Sequence, residues 1–128
     1  MGKILLISGD TDIRKTLNEL KKETNWTVNF ISGAQNFWEI ISAMSDETYE
    51  FVIIDDDLMR PESDHLIRAI KKIQKNIRII FLTSDTSIEL GQKISQLGID
   101  YYCIKPVVRN DLINSIVSIN QLQKRNTF

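Results

Sequence analysis

The 128-residue sequence predicts an α/β fold, a doubly wound parallel sheet of five strands in the order 2-1-3-4-5 with five helices. Two observations predict this class. Five short apolar runs recur along the chain, and each has the length of a β-strand. A segment whose apolar residues have helical spacing follows every run. Alternation of strand and helix is typical of a parallel sheet with helices on both faces.

The five predicted strands differ in how completely apolar they are. The first, third and fourth are unbroken apolar runs, as expected for strands that helices cover on both faces. The second alternates in part between polar and apolar residues, which suits an outer strand. The predicted strands are residues 4–7, 28–31, 51–54, 79–82 and 101–104.

Each of the five predicted helices has apolar residues at positions i, i+4 and i+7, so that these residues share one face of the helix. Asp10, Thr11 or Asp12 can cap the start of the first helix, and Gly98 can close the fourth. No linker or repeat interrupts this order, so we expect one domain over residues 1–128. The apolar stripes are Ile13, Leu17 and Leu20; Phe37, Ile41 and Met44; Leu66, Ile70 and Ile73; Leu90, Ile94 and Leu97; and Leu112, Ile116 and Ile119.

Composition excludes several classes of function. The chain has 16 Lys and Arg against 17 Asp and Glu, and this balance argues against direct binding of nucleic acid. Cys103 is the only cysteine, which rules out an internal disulfide and a Cys-rich zinc site. No apolar run approaches the roughly 20 residues of a membrane span, and no signal peptide is visible. We therefore expect a cytoplasmic protein without membrane attachment.

Polar residues follow four of the predicted strands at their carboxyl ends. In open α/β sheets, ligands bind beyond these ends, near the point where the strand order reverses. Carboxylate, hydroxyl and ammonium groups would meet there, and such a set can accept and hold a phosphoryl group. The residues are Ser8, Gly9 and Asp10; Asp55, Asp56 and Asp57; Thr83 and Ser84; and Lys105 and Pro106.

This arrangement resembles the receiver domain of two-component response regulators, the CheY-like group of flavodoxin-like folds. The resemblance rests on the apolar run before Asp55, on Thr83-Ser84, on the segment at residues 97–102 and on Lys105-Pro106. The spacings of 28 residues from Asp55 to Thr83 and 22 from Thr83 to Lys105 are usual for receivers. The resemblance extends from Lys3 to about Leu122.

The resemblance implies a role for each of these residues. Asp55 would accept a phosphoryl group from a histidine kinase or phosphotransfer protein, and Lys105 would pair with that carboxylate and then with the phosphoryl oxygens. Thr83 would hydrogen-bond the phosphate. Tyr102 would be the aromatic switch that turns inward when the threonine moves. Pro106 stands where the family commonly has a cis peptide bond.

The resemblance also implies an output surface. The fourth predicted helix, the last strand and the fifth predicted helix would contact a downstream protein or a fused output domain. A weak homodimer could form through the same face. A receiver of this kind is a signalling domain and not an enzyme.

Three consecutive aspartates leave two choices for the phosphoacceptor. Asp55 directly follows four apolar residues and keeps the apolar positions of the third helix in place. Asp57 lies four residues before Pro61, the spacing at which receivers usually carry a proline. We favour Asp55, because the choice of Asp57 would place two carboxylates inside a buried strand, which is unfavourable. Asp57 remains the alternative.

The first strand departs from the receiver pattern. Receivers carry an acidic pair there that holds Mg²⁺, and this chain has Ser8 and Gly9 at those positions. Mg²⁺ needs near-octahedral oxygen ligands that include carboxylates, so the change weakens the site. The remaining candidate ligands are Asp10, Asp55 and Asp57.

Two hypotheses therefore stand side by side. In the first, the chain is a working receiver that is phosphorylated on Asp55 with Mg²⁺. In the second, it is a phosphorylation-independent pseudo-receiver that serves as a protein–protein interaction or dimerisation module. A haloacid-dehalogenase-like phosphatase fits less well, because its hydrophobic-D-x-D motif belongs on the first strand and here lies on the third. An FMN site is disfavoured because Asp10 and Asp12 would repel its phosphate.

Overall fold

The computed structural model of the chain describes residues 2–32 and 37–125. Strands and helices alternate along it as the apolar pattern predicts, with one addition after the third strand. The elements are β1 (Lys3–Ile7), α1 (Thr11–Glu23), β2 (Thr27–Ile31), α2 (Phe37–Asp46), β3 (Phe51–Asp55), α3 (Asp56–Met59), α4 (Ser63–Ile73), β4 (Arg78–Thr83), α5 (Ile88–Ser95), β5 (Tyr101–Ile104) and α6 (Arg109–Arg125).

All five strands pair in parallel in the order β2-β1-β3-β4-β5, which confirms the predicted sheet. Ile7 pairs with Ile54, and Asp55 pairs with Leu82 on the next strand. Thr83 in turn pairs with Ile104. The carboxyl ends of β1, β3, β4 and β5 therefore reach the same edge of the sheet.

Two apolar cores lie on the two faces of this sheet. On one face Ile54 and Phe81 pack with residues of α2, α4 and α5, and on the other Ile53 and Leu82 pack with residues of α1 and α6. These four side chains are fully buried. Burial of one such side chain contributes about 1.5–3 kcal/mol. The central strands are unbroken apolar runs because both of their faces are covered.

Local signals set the helix ends. The Asp10 side chain caps α1 by accepting from the main-chain N–H groups of Asp12 and Ile13. Gly98, just after α5, has φ 82°, a left-handed conformation that favours glycine, in agreement with the predicted closure. None of the helices described in residues 2–32 and 37–125 has the length and apolar character needed to cross a bilayer.

The prediction of five helices was wrong by one short helix. α3 begins directly after β3 because the Asp55 carboxylate acts as its N-cap and accepts from the main-chain N–H of Asp57 at 3.0 Å. With only four residues, α3 is too short to show an apolar stripe. It turns the chain at the point where the three aspartates lie and so separates their side chains.

Candidate functional site

The predicted site residues meet at the carboxyl edge of the sheet. An open cleft of about 280 Å³ lies there, and its floor and walls come from the loops after β1, β3 and β5. We use the term acceptor cluster for Ser8, Asp10, Asp55, Asp57 and Lys105. The cleft is lined by Gly9, Asp10, Asp55, Asp57, Leu58 and Lys105.

Asp55 lies at the buried end of the acceptor cluster, as the last residue of β3. Its Oδ2 accepts from Lys105 Nζ at 2.8 Å and from Ser8 Oγ at 2.6 Å. Its Oδ1 accepts from the main-chain N–H of Asp57. The side chain is 3% exposed. A buried carboxylate needs such donors, and here each oxygen has at least one.

Lys105 is the cation that joins the acceptor cluster. Its ammonium lies 2.8 Å from Asp55, 3.0 Å from Asp57 and 3.7 Å from Asp10. Burial opposes the charged form, but hydrogen bonds and charge from Asp55 and Asp57 outweigh it and raise the pKa of Lys105 above its ordinary value. Lys105 therefore stays protonated at neutral pH. The Lys105–Pro106 peptide bond is cis, as expected.

Asp57 lies at the solvent side of the cluster, with 31% of its side chain exposed. Its Oδ1 accepts from Ser84 Oγ at 2.7 Å and from Arg60 Nη2 at 2.8 Å. Burial alone would raise the pKa of Asp57, but the hydrogen bonds from Ser84 and Lys105 outweigh it and lower the pKa below its ordinary value. The two candidate acceptors thus share one lysine and differ in exposure.

Asp56 has a second set of contacts, which we call the Asp56 network: Asp56, Arg60, Ser63 and Thr83. Arg60 Nη2 links this network to Asp57 of the acceptor cluster. The Asp56 residue is buried, and its Oδ1 accepts from Ser63 Oγ at 2.7 Å. Its Oδ2 accepts from Thr83 Oγ1 at 2.8 Å and from Arg60 Nη2 and Nε at 3.0 and 3.2 Å. The sequence pattern did not indicate this role for Asp56, although side-chain alternation at the end of a strand could have separated it from Asp55.

Thr83 is fully buried at the end of β4, and its hydroxyl points into the Asp56 network. Its Oγ1 also accepts from the main-chain N–H of Asp85 at 3.0 Å. Side chains alternate along a strand, so Thr83 shares the sheet face of Phe81, whereas Asp55 shares that of Ile53. The predicted phosphate-binding hydroxyl is therefore hydrogen-bonded to the neighbouring aspartate and not to Asp55.

Tyr102 lies against the core beside this network. Its ring stacks on Phe81 with the centroids 5.4 Å apart, and its Oη is buried with no hydrogen-bond partner among the described residues. Burial, followed by the negative charges of Asp56 and Asp85, raises the pKa of Tyr102. The predicted switch residue thus already has a buried hydroxyl.

The donor set does not fit Mg²⁺. No group of three or more His, Cys, Asp or Glu residues in the described parts of the chain has the arrangement of a metal site. Lys105 lies between the carboxylates of Asp55 and Asp57, and one oxygen of Asp10 is used as the cap of α1. Ser8 is a neutral hydroxyl whose proton is donated to Asp55, at a position where Mg²⁺ would need a carboxylate oxygen to offer it a lone pair.

Position 9, where receivers carry an acid, is a glycine in this chain, and no neighbouring side chain fills the space beside it. A Cβ placed on Gly9 would meet no atom within 4 Å. The glycine is therefore not required by close packing at this point. The residue changes the charge at the edge of the cleft, and it leaves the surrounding packing untouched.

The predicted output face, which α5, β5 and α6 form in the structure, carries exposed apolar side chains. These exposed side chains make this side of the molecule partly apolar, whereas the other helices turn most of their apolar side chains toward the core. The most exposed of them on these elements and the loop before α6 are Ile88, Ile104, Val108 and Val117.

Sequence comparison places these features in a family. A family model for the response regulator receiver domain matches residues 4–117. The response regulator protein GraR of Staphylococcus aureus is 30% identical to the chain over 119 residues. That alignment covers 91% of the chain and 50% of GraR, so the chain spans about half the length of the curated relatives it matches.

Solved structures show the same fold. A CheY-like receiver domain protein from Methanospirillum hungatei has a TM-score of 0.83 at 24% identity, with 98% of each chain covered. A two-component response regulator from Clostridium difficile has a TM-score of 0.80 at 22% identity, covering 94% of this chain and 97% of its own. A Burkholderia pseudomallei response regulator, solved with a phosphorylated aspartic acid, a calcium ion and citrate, has a TM-score of 0.74 at 22% identity, covering 99% of this chain and 74% of its own.

Proposed function

The chain belongs to the response regulator receiver domain family, and from this premise we propose that it accepts a phosphoryl group on Asp55. The observation that carries the choice of residue is the position of Asp55 as the last residue of β3, with its Oδ2 2.8 Å from Lys105 Nζ at the floor of an open cleft. The donor is a phosphohistidine on a histidine kinase or phosphotransfer protein.

The proposed step is a transfer between two nucleophiles. A carboxylate oxygen of Asp55 forms a bond to phosphorus while the bond from phosphorus to the histidine nitrogen of the donor breaks. The nitrogen keeps the electron pair, and Asp55 becomes an acyl phosphate. Negative charge grows on the transferred oxygens, and the Lys105 ammonium is placed to stabilise it.

In this proposal, charge neutralisation by the protein is assigned to Lys105. The charged form of Lys105 is favoured by Asp55 and Asp57, and its ammonium is already beside the acceptor oxygen. Mg²⁺, if it entered the cleft, would have to displace this ammonium from the two carboxylates. The expectation is therefore that added Mg²⁺ changes the extent of phosphorylation little.

The output would follow the elements that contact the site. Thr83 would exchange Asp56 for a phosphoryl oxygen, and Tyr102 would adjust against Phe81. The main-chain N–H of Lys105 donates to the Thr83 carbonyl at 2.8 Å, and this bond links β4 to the segment after β5 that carries Lys105. The exposed face of α5, β5 and α6 would then contact a downstream protein, a fused output domain or a second copy of the chain.

The test is intact-mass analysis after incubation with acetyl phosphate, with and without Mg²⁺. We expect wild type to gain one phosphoryl group and Asp55→Asn to gain none. Asp57→Asn is the matched control, since Asp57 contacts the same lysine, and it should still gain the group. Loss of the adduct in Asp57→Asn with retention in Asp55→Asn would assign the acceptor to Asp57.

A phosphorylation-independent interaction module is the second candidate function. The observation that favours it is the hydrogen bond from Ser8 Oγ to Asp55 Oδ2 at 2.6 Å, at a position where the family carries an acid. Together with Lys105, Ser8 leaves the acceptor oxygen fully engaged. Absence of any adduct in wild type at a millimolar excess of donor would select this candidate.

A further inference from the structure

We propose that Asp56 is a positioning residue that holds the Thr83 hydroxyl away from Asp55, so that a phosphoryl group on Asp55 must compete with Asp56 for this hydroxyl. The inference rests on the proposed function, because it concerns the regulation of the same site. It assigns to the middle aspartate of the three a role distinct from those of its two neighbours.

The geometry of Thr83 is the first argument. Its hydroxyl donates to Asp56 Oδ2 at 2.8 Å, and both residues are buried. A threonine hydroxyl has a single proton, so it donates to one strong acceptor at a time. A phosphoryl oxygen on Asp55 can therefore receive this hydrogen bond only after Asp56 has given it up.

The surroundings of Asp56 are the second argument. The Oδ2 atom that accepts from Thr83 also accepts from two nitrogens of Arg60, and Oδ1 accepts from Ser63. When Thr83 leaves, Asp56 is still paired with a cation and a hydroxyl. Its burial therefore does not make the exchange prohibitive. Asp56 restrains Thr83 by a bond that can be replaced.

Tyr102 supplies the third argument. Its Oη is buried and without a hydrogen-bond partner among the described residues, while Thr83 remains bound to Asp56. The tyrosine is thus already inward in a state where the threonine has not moved. Phosphorylation of Asp55 would therefore have to release the Thr83 hydroxyl from Asp56, whereas the Tyr102 ring would not have to turn inward.

A double-mutant cycle with beryllofluoride, a phosphoryl mimic, tests this competition. Amide chemical shifts from ¹H–¹⁵N NMR, with Mg²⁺ in every sample, give the half-saturating concentration. We expect Asp56→Ala to lower it about tenfold, since a hydrogen bond to a charged acceptor no longer has to be broken. In a Thr83→Val background the same substitution should change it by less than about twofold. An equal effect in both backgrounds would overturn the proposal, because it would mark a general structural role.

Two further variants guard the result. Ser63→Ala removes another donor to the same carboxylate but does not touch Thr83, so its half-saturating concentration should match wild type. Asp56→Asn keeps the shape and has a neutral oxygen, so it should act in the direction of Asp56→Ala if the alanine variant does not fold. An unchanged half-saturating concentration in either folded Asp56 variant counts against the proposal.

A measurement without any phosphoryl mimic separates this inference from the proposed function. Three-bond couplings report the χ1 angle of Thr83, which should be a single rotamer in wild type and averaged in Asp56→Ala. Failure of wild type to bind beryllofluoride would contradict the proposed function. The Thr83 couplings would then still test, without any ligand, whether Asp56 restrains the Thr83 hydroxyl. A single unchanged rotamer in both proteins would refute this restraint.

Discussion

Two neighbouring aspartates of this chain, Asp55 and Asp56, have different hydrogen-bond partners. Asp55 belongs to the acceptor cluster, where three carboxylates share the ammonium of Lys105 at the edge of an open cleft. Asp56 belongs to the Asp56 network, where a single carboxylate receives Arg60, Ser63 and Thr83. Both residues are about 2% exposed. Burial alone therefore does not tell them apart, and the balance of donors to acceptors does.

The difference teaches which group is free to react. In the acceptor cluster three carboxylates share one ammonium, so Asp55 has no cation of its own, and its carboxylate is the group proposed to act as a nucleophile. In the Asp56 network three donor side chains hydrogen-bond to one carboxylate, so Asp56 holds Arg60, Ser63 and Thr83 in place.

Matched substitutions at the two aspartates should differ most. Asp56→Asn places an amide N–H₂ among donors and should lower the free energy of unfolding by about 3 kcal/mol. Asp55→Asn relieves repulsion with Asp57 and Asp10 and leaves Lys105 paired with both of them, so its cost should stay below about 1 kcal/mol. Urea unfolding of both variants at neutral pH measures the difference. Equal costs would show that the two carboxylates are equivalent, against the contrast drawn above.

Removal of the shared cation should be the next largest effect. Lys105→Met leaves Asp10, Asp55 and Asp57 without the ammonium between them, and we expect a loss of about 2 kcal/mol at pH 7, because the lysine is only partly exposed. Arg60→Met is the comparison variant from the Asp56 network. It also removes a donor from Asp57, but the guanidinium is half exposed and its loss should matter less. Addition of MgCl₂ should raise the melting temperature of Lys105→Met more than that of wild type. Equal shifts would mean that the lysine does not occupy a cation position.

The two buried serines offer a smaller, paired test. Ser8 donates to Asp55 and Ser63 donates to Asp56, at 2.6 and 2.7 Å. Water from the open cleft of about 280 Å³ can replace Ser8, whereas the cavity beside Asp56 and Ser63 holds only about 160 Å³ and is more enclosed. Ser63→Ala should therefore cost about 1 kcal/mol more than Ser8→Ala in urea unfolding. A larger loss for Ser8→Ala would mean that the cleft does not hydrate Asp55.

The smallest effect concerns acid. The pKa of Asp57 is lower in the folded chain than its ordinary value, so its ionised form stabilises the fold above the unfolded-state pKa of about 3.9. This contribution is lost as the pH falls through the lower, folded pKa. Between about pH 5 and pH 3, the free energy of unfolding of Asp57→Asn should therefore decline less steeply than that of wild type. Ser84→Ala, which removes a donor to Asp57, should show an intermediate slope.

Much of the fold was accessible from the sequence because it depends on regular patterns. The apolar runs predicted all five strands, and the stripe Ile13, Leu17 and Leu20 is buried as expected. α2 is less simple: Ile40 is fully buried there, whereas Ile41 is only partly so. A stripe of three residues fixes the presence of a helix better than its rotation about the axis.

The site was harder to predict because it depends on the directions in which side chains point at the ends of the strands. The sequence indicated that Asp55, Thr83 and Lys105 converge, and the structure brings Lys105 to Asp55. The turn into α3 and the opposite faces of β3 and β4 bring Thr83 to Asp56 instead, and a four-residue helix leaves no periodic signal. Which donor reaches which oxygen is a tertiary property, so no spacing rule reveals it.

The open space beside Gly9 has a consequence for how readily this chain could change its chemistry. Since a Cβ at position 9 would meet no atom within 4 Å, substitution of the glycine by a residue with a side chain need not begin with a clash. Part of the acidic pair that receivers carry could therefore be installed at this location. Gly9→Asp would supply one of the two acids, and Ser8, which donates to Asp55, would still occupy the other position.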